Sequence, residues 1–110
     1  MNANTIQTID VNELKQRMDQ DTNLCLIDVR EDYEWQEARI PGAIHIQKDE
    51  LPAKIASRVK DLNQPVYLHC KGGVRSLYAA ERLAEMGYKQ LYSIDGGILS
   101  WIEQGYAVIR

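Results

Sequence analysis

The sequence predicts a small doubly wound α/β domain with a central parallel sheet and helices on both faces. Three observations carry this. Short apolar runs without alternation, such as Leu24 to Ile27 and Val66 to Leu68, suit strands buried on both faces. Segments with apolar residues at helical spacing separate these runs, and that order implies right-handed crossovers between parallel strands. The chain has 110 residues, 45% apolar and 26% charged, which suits one domain over 1–110 with its own core.

The elements follow in order. Asp10 stands at an N-cap with Glu13 three residues on, a capping-box arrangement, and Val11, Leu14 and Met18 then recur at helical spacing. Leu24 to Ile27 is the first buried strand, ending at Asp28. A short helix over Asp32 to Ala38 leads to the Pro41-Gly42 turn and a brief strand, Ala43 to Ile46. Pro52 fits the first turn of a helix whose inner face carries Leu51, Ile55, Val59 and Leu62. Asn63-Gln64-Pro65 breaks the chain before the strand Val66 to Leu68. The loop Cys70 to Arg75 precedes a helix over Ser76 to Met86, with Leu77, Ala80, Leu83 and Ala84 as its inner stripe and Gly87 at C′. Leu91 to Ile94 is a third buried strand. Asp95-Gly96-Gly97 turns into a last helix, Ile98 to Gln104, closed by Gly105.

Composition narrows the function. A net charge of -3 makes a nucleic-acid scaffold a poor expectation, and no apolar stretch approaches the roughly 18 residues of a membrane span. Met1 to Val11 lacks a basic start followed by an apolar core, so no secretory signal is expected and a cytoplasmic setting follows. Cys25 and Cys70 make neither a disulfide framework nor a metal quartet, and a reducing compartment keeps both as thiols.

The two cysteines differ in address. Cys25 lies inside a strand. Cys70 follows one, and the predicted strands end at Asp28, His45, Cys70 and Asp95, at the carboxyl edge where open α/β sheets bind ligands. The segment Cys70-Lys71-Gly72-Gly73-Val74-Arg75-Ser76 puts a thiol in a glycine-bearing loop that opens a helix. The glycines allow positive φ and inward N–H groups, and the helix contributes its positive end. Lys71 and Arg75 add charge. Each feature favours an anion in the loop, first of all the Cys70 thiolate, so Cys70 is the expected nucleophile. The competing reading is a buried cysteine beside a tight turn.

These residues resemble the single-domain rhodanese family of thiosulfate-type sulfurtransferases. The resemblance rests on Leu26-Ile27-Asp28-Val29-Arg30 and the acidic-aromatic stretch after it, and on Ile40-Pro41-Gly42-Ala43-Ile44-His45. It continues through the cysteine loop, Gly87-Tyr88, and Asp95-Gly96-Gly97 with Trp101. It implies a sheet of about five strands, with Cys70 as the sulfur-carrying nucleophile and Lys71, Gly72, Gly73, Val74 and Arg75 as the surrounding loop. Asp28 and Arg30 then orient loops, with Ser76 in support. The implied chemistry passes a sulfane sulfur from an anionic donor such as thiosulfate, through a Cys70 persulfide, to a thiol or to cyanide. It needs no cofactor and no metal. The loop most resembles rhodanese domains that serve sulfur transfer to ubiquitin-like carriers, so an acidic sulfur-carrier protein is a candidate partner. A relay or interaction module is the alternative to free turnover, and a non-catalytic scaffold is a third.

Cysteine phosphatases related in fold place five residues between cysteine and arginine; here four separate Cys70 from Arg75. The shorter ring suits one sulfur atom better than a phosphate. His69 should face away from the nucleophile as a packed or bridging residue, and His45 should be structural. Ala38-Arg39 stands where many relatives carry Gly-His. Charge divides unevenly: Asp28 to Glu37 holds five acids and one arginine, whereas Lys54 to Arg82 holds six basic residues and two acids. This division reads either as two solvated faces or as a positive rim around Cys70.

Overall fold

A computed structural model describes residues 5–110. Residues 1–4 of the segment read for a secretory signal lie outside the described residues. Five strands form one sheet: β1 (Ile6–Ile9), β2 (Leu26–Asp28), β3 (Ile44–His45), β4 (Val66–His69) and β5 (Leu91–Ile94). Their order is β1-β5-β4-β2-β3 and every pairing is parallel. Five helices connect them: α1 (Val11–Gln20), α2 (Asp32–Glu37), α3 (Leu51–Arg58), α4 (Val74–Glu85) and α5 (Gly97–Glu103).

Strand alternation divides the core in two. Ile27, Leu68 and Leu91 face α3 and α4, packing with Ile55, Ala80 and Leu83. Leu26, Tyr67 and Ile94 face α1 and α5, packing with Leu14, Ile98 and Trp101. β2 steps outward to β3 whereas β4 steps the opposite way to β5. The reversal falls between β2 and β4, where a doubly wound sheet opens its crevice. Asp28 ends β2, and Cys70 directly follows β4.

Four differences from the sequence reading have physical causes. The sequence reading lacks β1, an edge strand whose two central residues, Gln7 and Thr8, are exposed, so no buried run marks it. α4 starts at Val74 rather than Ser76, because Gly73 caps it in the left-handed region at φ 118°. Its inner stripe is consequently Ser76, Ala79, Ala80, Leu83 and Ala84, while Leu77 is exposed. α3 ends at Arg58 with Val59 as C-cap, so Leu62 lies beyond it and is exposed. Gly87, at φ 104°, is the left-handed residue after α4 that its spacing indicated. Among the described residues no helix is long and apolar enough to cross a membrane.

Candidate active site

The loop after β4 curls around its own cysteine. Cys70 is buried, and its Sγ accepts from the Gly73 N–H at 3.1 Å and from the Ser76 N–H at 3.4 Å. The Ser76 hydroxyl lies 3.6 Å from the sulfur. The Gly73 N–H lies at the N-cap and the Ser76 N–H in the first turn of a 12-residue helix, where backbone donors lack intrahelical partners and the helix end is positive. The sulfur therefore sits where a negative charge is best accommodated. Ser76 is fixed by its bonds to the Gly73 carbonyl at 3.1 Å and to Ser93 Oγ at 2.8 Å.

A second helix clamps the loop from outside. The N–H groups of Ile98 and Leu99 donate to the carbonyls of Cys70 and Lys71 at 3.0 and 3.2 Å. This close approach needs a glycine before them: a Cβ on Gly97 would stand 2.4 Å from the Cys70 carbonyl oxygen. The Asp95-Gly96-Gly97 turn thus serves the cysteine loop. With its outward carbonyls held, the loop presents its N–H groups inward.

Two ion pairs frame the edge, one buried and one half-buried. Arg30 donates to both Asp28 oxygens, at 2.8 to 3.1 Å, and to the Ala38 carbonyl at 2.7 Å. The pair ties β2 to the end of α2. Asp28 and Arg30 are almost fully enclosed, at 0% and 4% exposure. The second pair joins α2 to the loop: Arg75 donates to the two oxygens of Glu34 at 2.8 and 2.9 Å. The Arg75 hydrogen bonds are the main reason the Glu34 carboxyl is held down at about 2. Glu34 of the acidic stretch and Arg75 of the basic stretch thus meet at this bridge.

His69 is completely buried. It pairs in register with Asp28, on the sheet face opposite Cys70. Its Nδ1 lies 3.2 Å from the Cys70 carbonyl; its Nε2 has no hydrogen-bond partner and stands 3.5 Å from Asp28 Oδ2. Burial above all pushes its pKa down, so it packs as a neutral ring. His45 Nε2 donates to the Arg30 carbonyl at 2.8 Å, and its ring stacks on Trp35. Arg39 lies over the other ring partner, Trp35, at 5.1 Å, and its backbone bridges to Ile109. Cys25 lies in the core among α3 and α4 side chains, and burial pushes its thiol up. Among the described residues no group of three or more His, Cys, Asp or Glu side chains could hold a metal ion.

Of the sequence-selected residues, Cys70, Gly73 and Ser76 converge on one sulfur. Lys71, Gly72 and Val74 are exposed on the outside of the loop, and Arg75 turns to Glu34. Sequence reasoning missed Glu34, Ser93 and the α5 amides. The only signals for them were a carboxylate beside an aromatic pair, a polar residue in a buried strand, and paired glycines.

A loop of backbone donors around one cysteine, at the switch point of a parallel sheet, defines a class of small α/β domains built around a loop cysteine. Comparison with known proteins specifies it. The Rhodanese-like domain family matches residues 10–104, and the chain belongs to that family. It is 38% identical to a Bacillus subtilis protein named putative sulfurtransferase YtwF, over 87% of this chain and 90% of that one. It is 34% identical to the putative sulfur carrier protein YrkF of the same organism, over 91% of this chain but 53% of that longer protein. The crystal structure of a rhodanese-like domain protein from Staphylococcus aureus superposes with a TM-score of 0.81 at 30% identity, covering 94% of this chain and 99% of that one.

Proposed function

We propose that this protein is a sulfurtransferase in which Cys70 carries sulfane sulfur as a persulfide. The observation that carries the reading is the pair of N–H groups, from Gly73 and Ser76, directed at the Cys70 sulfur. The family membership and the relatives named sulfurtransferases support it. In the first step the Cys70 thiolate attacks the outer sulfur of an anionic donor, thiosulfate being the simplest. A sulfur–sulfur bond forms at Cys70, the donor's bond breaks, and sulfite leaves with the electron pair. In the second step an acceptor thiolate, or cyanide in vitro, attacks the outer sulfur. The acceptor takes it, and Cys70 returns as thiolate.

An ionised thiol needs no general base, which agrees with the burial of His69 away from the sulfur. Preorganised N–H groups stabilise negative sulfur without reorganisation. No metal or cofactor enters this scheme, and a reducing cytoplasm is the setting in which Cys70 would stay reactive.

A relay to a partner protein, such as an acidic sulfur carrier, is the second reading. Exposed apolar side chains favour it: Val74 on the loop's helix, Tyr33 on α2 and Leu99 on α5 are 83%, 65% and 54% exposed. Steady-state kinetics test the proposal. With thiosulfate and cyanide varied together, thiocyanate formation should follow parallel double-reciprocal lines, the ping-pong signature. Turnover should vanish in Cys70→Ser. Intersecting lines, or turnover that survives the substitution, would overturn it. Slow thiosulfate turnover accelerated by an added carrier protein would select the relay.

A further inference from the structure

The role proposed for Cys70 leaves the buried carboxylate of Glu34 unused. Glu34 is only 8% exposed and lies on α2, 41 residues from Arg75 in sequence. Its two oxygens accept from Arg75 Nη1 and Nη2, and Oε1 also accepts from the Glu31 N–H at 2.9 Å. The carboxylate is thus fixed from both sides. A guanidinium offers its forked pair of N–H groups to one carboxylate-like or sulfonate-like anion at a time. In Arg75 that fork is taken. The other arginine at this edge, Arg30, is committed to Asp28 through Nε and Nη2. Arg75 nevertheless directly precedes Ser76, whose N–H reaches the Cys70 sulfur at 3.4 Å. Lys71 is exposed and forms no ion pair among the described residues.

We propose that Glu34 is a specificity-determining residue: by occupying the Arg75 fork it disfavours oxyanion donors such as thiosulfate and favours donors that carry sulfane sulfur on a thiol. This rests on Cys70 being the sulfur carrier. Thiosulfate brings a doubly charged group whose sulfonate oxygens match a free guanidinium fork. An alkyl hydropersulfide does not: the Cys70 thiolate attacks its outer sulfur, the donor's sulfur–sulfur bond breaks, and an alkyl thiolate leaves while the proton stays on the new persulfide or passes to that thiolate. A neutralised arginine therefore costs the first donor more than the second.

The test compares single-turnover loading of Cys70 by thiosulfate and by a low-molecular-weight alkyl hydropersulfide, followed by intact mass. Glu34→Gln keeps the shape and removes the charge. It should raise the ratio of thiosulfate to hydropersulfide rate constants by about tenfold. The gain should disappear in Glu34→Gln combined with Arg75→Gln. If Glu34→Gln does not fold, Glu34→Ala carries the same comparison. An unchanged ratio, with both donors slowed in parallel, would mean that Glu34 only holds the loop, and would overturn the proposal. Failure of the folded wild-type protein to load from either donor would instead overturn the role given to Cys70.

Discussion

One residue type occurs twice in this chain with opposite environments. Cys25 packs among apolar side chains that push its thiol up, whereas Cys70 receives two backbone N–H groups at the start of a helix. Alkylation should follow the thiolate. Limiting iodoacetamide should therefore label Cys70 and spare Cys25, as peptide mapping would report; preferential labelling of Cys25 would contradict this assignment. The sequence revealed Cys70 through its position after a buried run and before Gly72-Gly73. It did not reveal Glu34, because an ion pair across 41 residues leaves no local pattern. Ser76 was legible only as a neighbour. Its real distinction is to occupy the inner stripe of α4, where Leu77 was expected, so that its N–H and hydroxyl face the sulfur.

At the scale of elements, the site is a junction of helix starts. α4 supplies N–H groups to the sulfur, and α5 supplies them to the carbonyls of the same loop. Gly97 lets the two meet. Gly97→Ala places a Cβ against the Cys70 and Lys71 carbonyls in a left-handed backbone at φ 53°. It should destabilise the fold by about 2–4 kcal/mol and slow sulfur loading, as urea unfolding and intact mass would show. A stable, fully active variant would remove α5 from this account. Helices with a capping acid or a closing glycine were readable: Asp10 accepts from the Glu13 N–H at 2.8 Å, and Gly105 follows α5 at φ 84°. β1 was not readable, because an edge strand needs no continuous apolar run.

At the scale of the molecule, two cores clamp one sheet and the strand order opens a crevice between β2 and β4. Leu68 lies at the centre of that arrangement, fully buried on the α3–α4 side. Leu68→Ala should cost about 2–5 kcal/mol of stability by leaving a cavity. Acid should also destabilise the fold, in two stages. Burial keeps His69 neutral, whereas the unfolded chain takes up its proton below about pH 6.5, so stability falls as pH drops past that value. Glu34 is held at about 2 against an ordinary 4.5, so its contribution is present above about pH 4.5 and lost as pH falls from there towards 2. Urea unfolding across pH should show both stages, with Glu34→Gln flattening the lower one. The α/β class was legible because buried parallel strands write themselves as apolar runs. The Glu34–Arg75 pair was not, since only the folded chain brings α2 onto the loop.

The central claim is that Cys70 carries sulfur, and intact mass after mixing with thiosulfate tests it most directly. Sulfite release is followed in the same tube, with Cys70→Ser and Cys25→Ser in parallel. The account predicts gain of one sulfur atom and matching sulfite in the wild type and in Cys25→Ser, and neither in Cys70→Ser. An adduct that persists in Cys70→Ser, or a folded wild type with a free Cys70 thiol that gains no sulfur from thiosulfate or from a hydropersulfide, would contradict it.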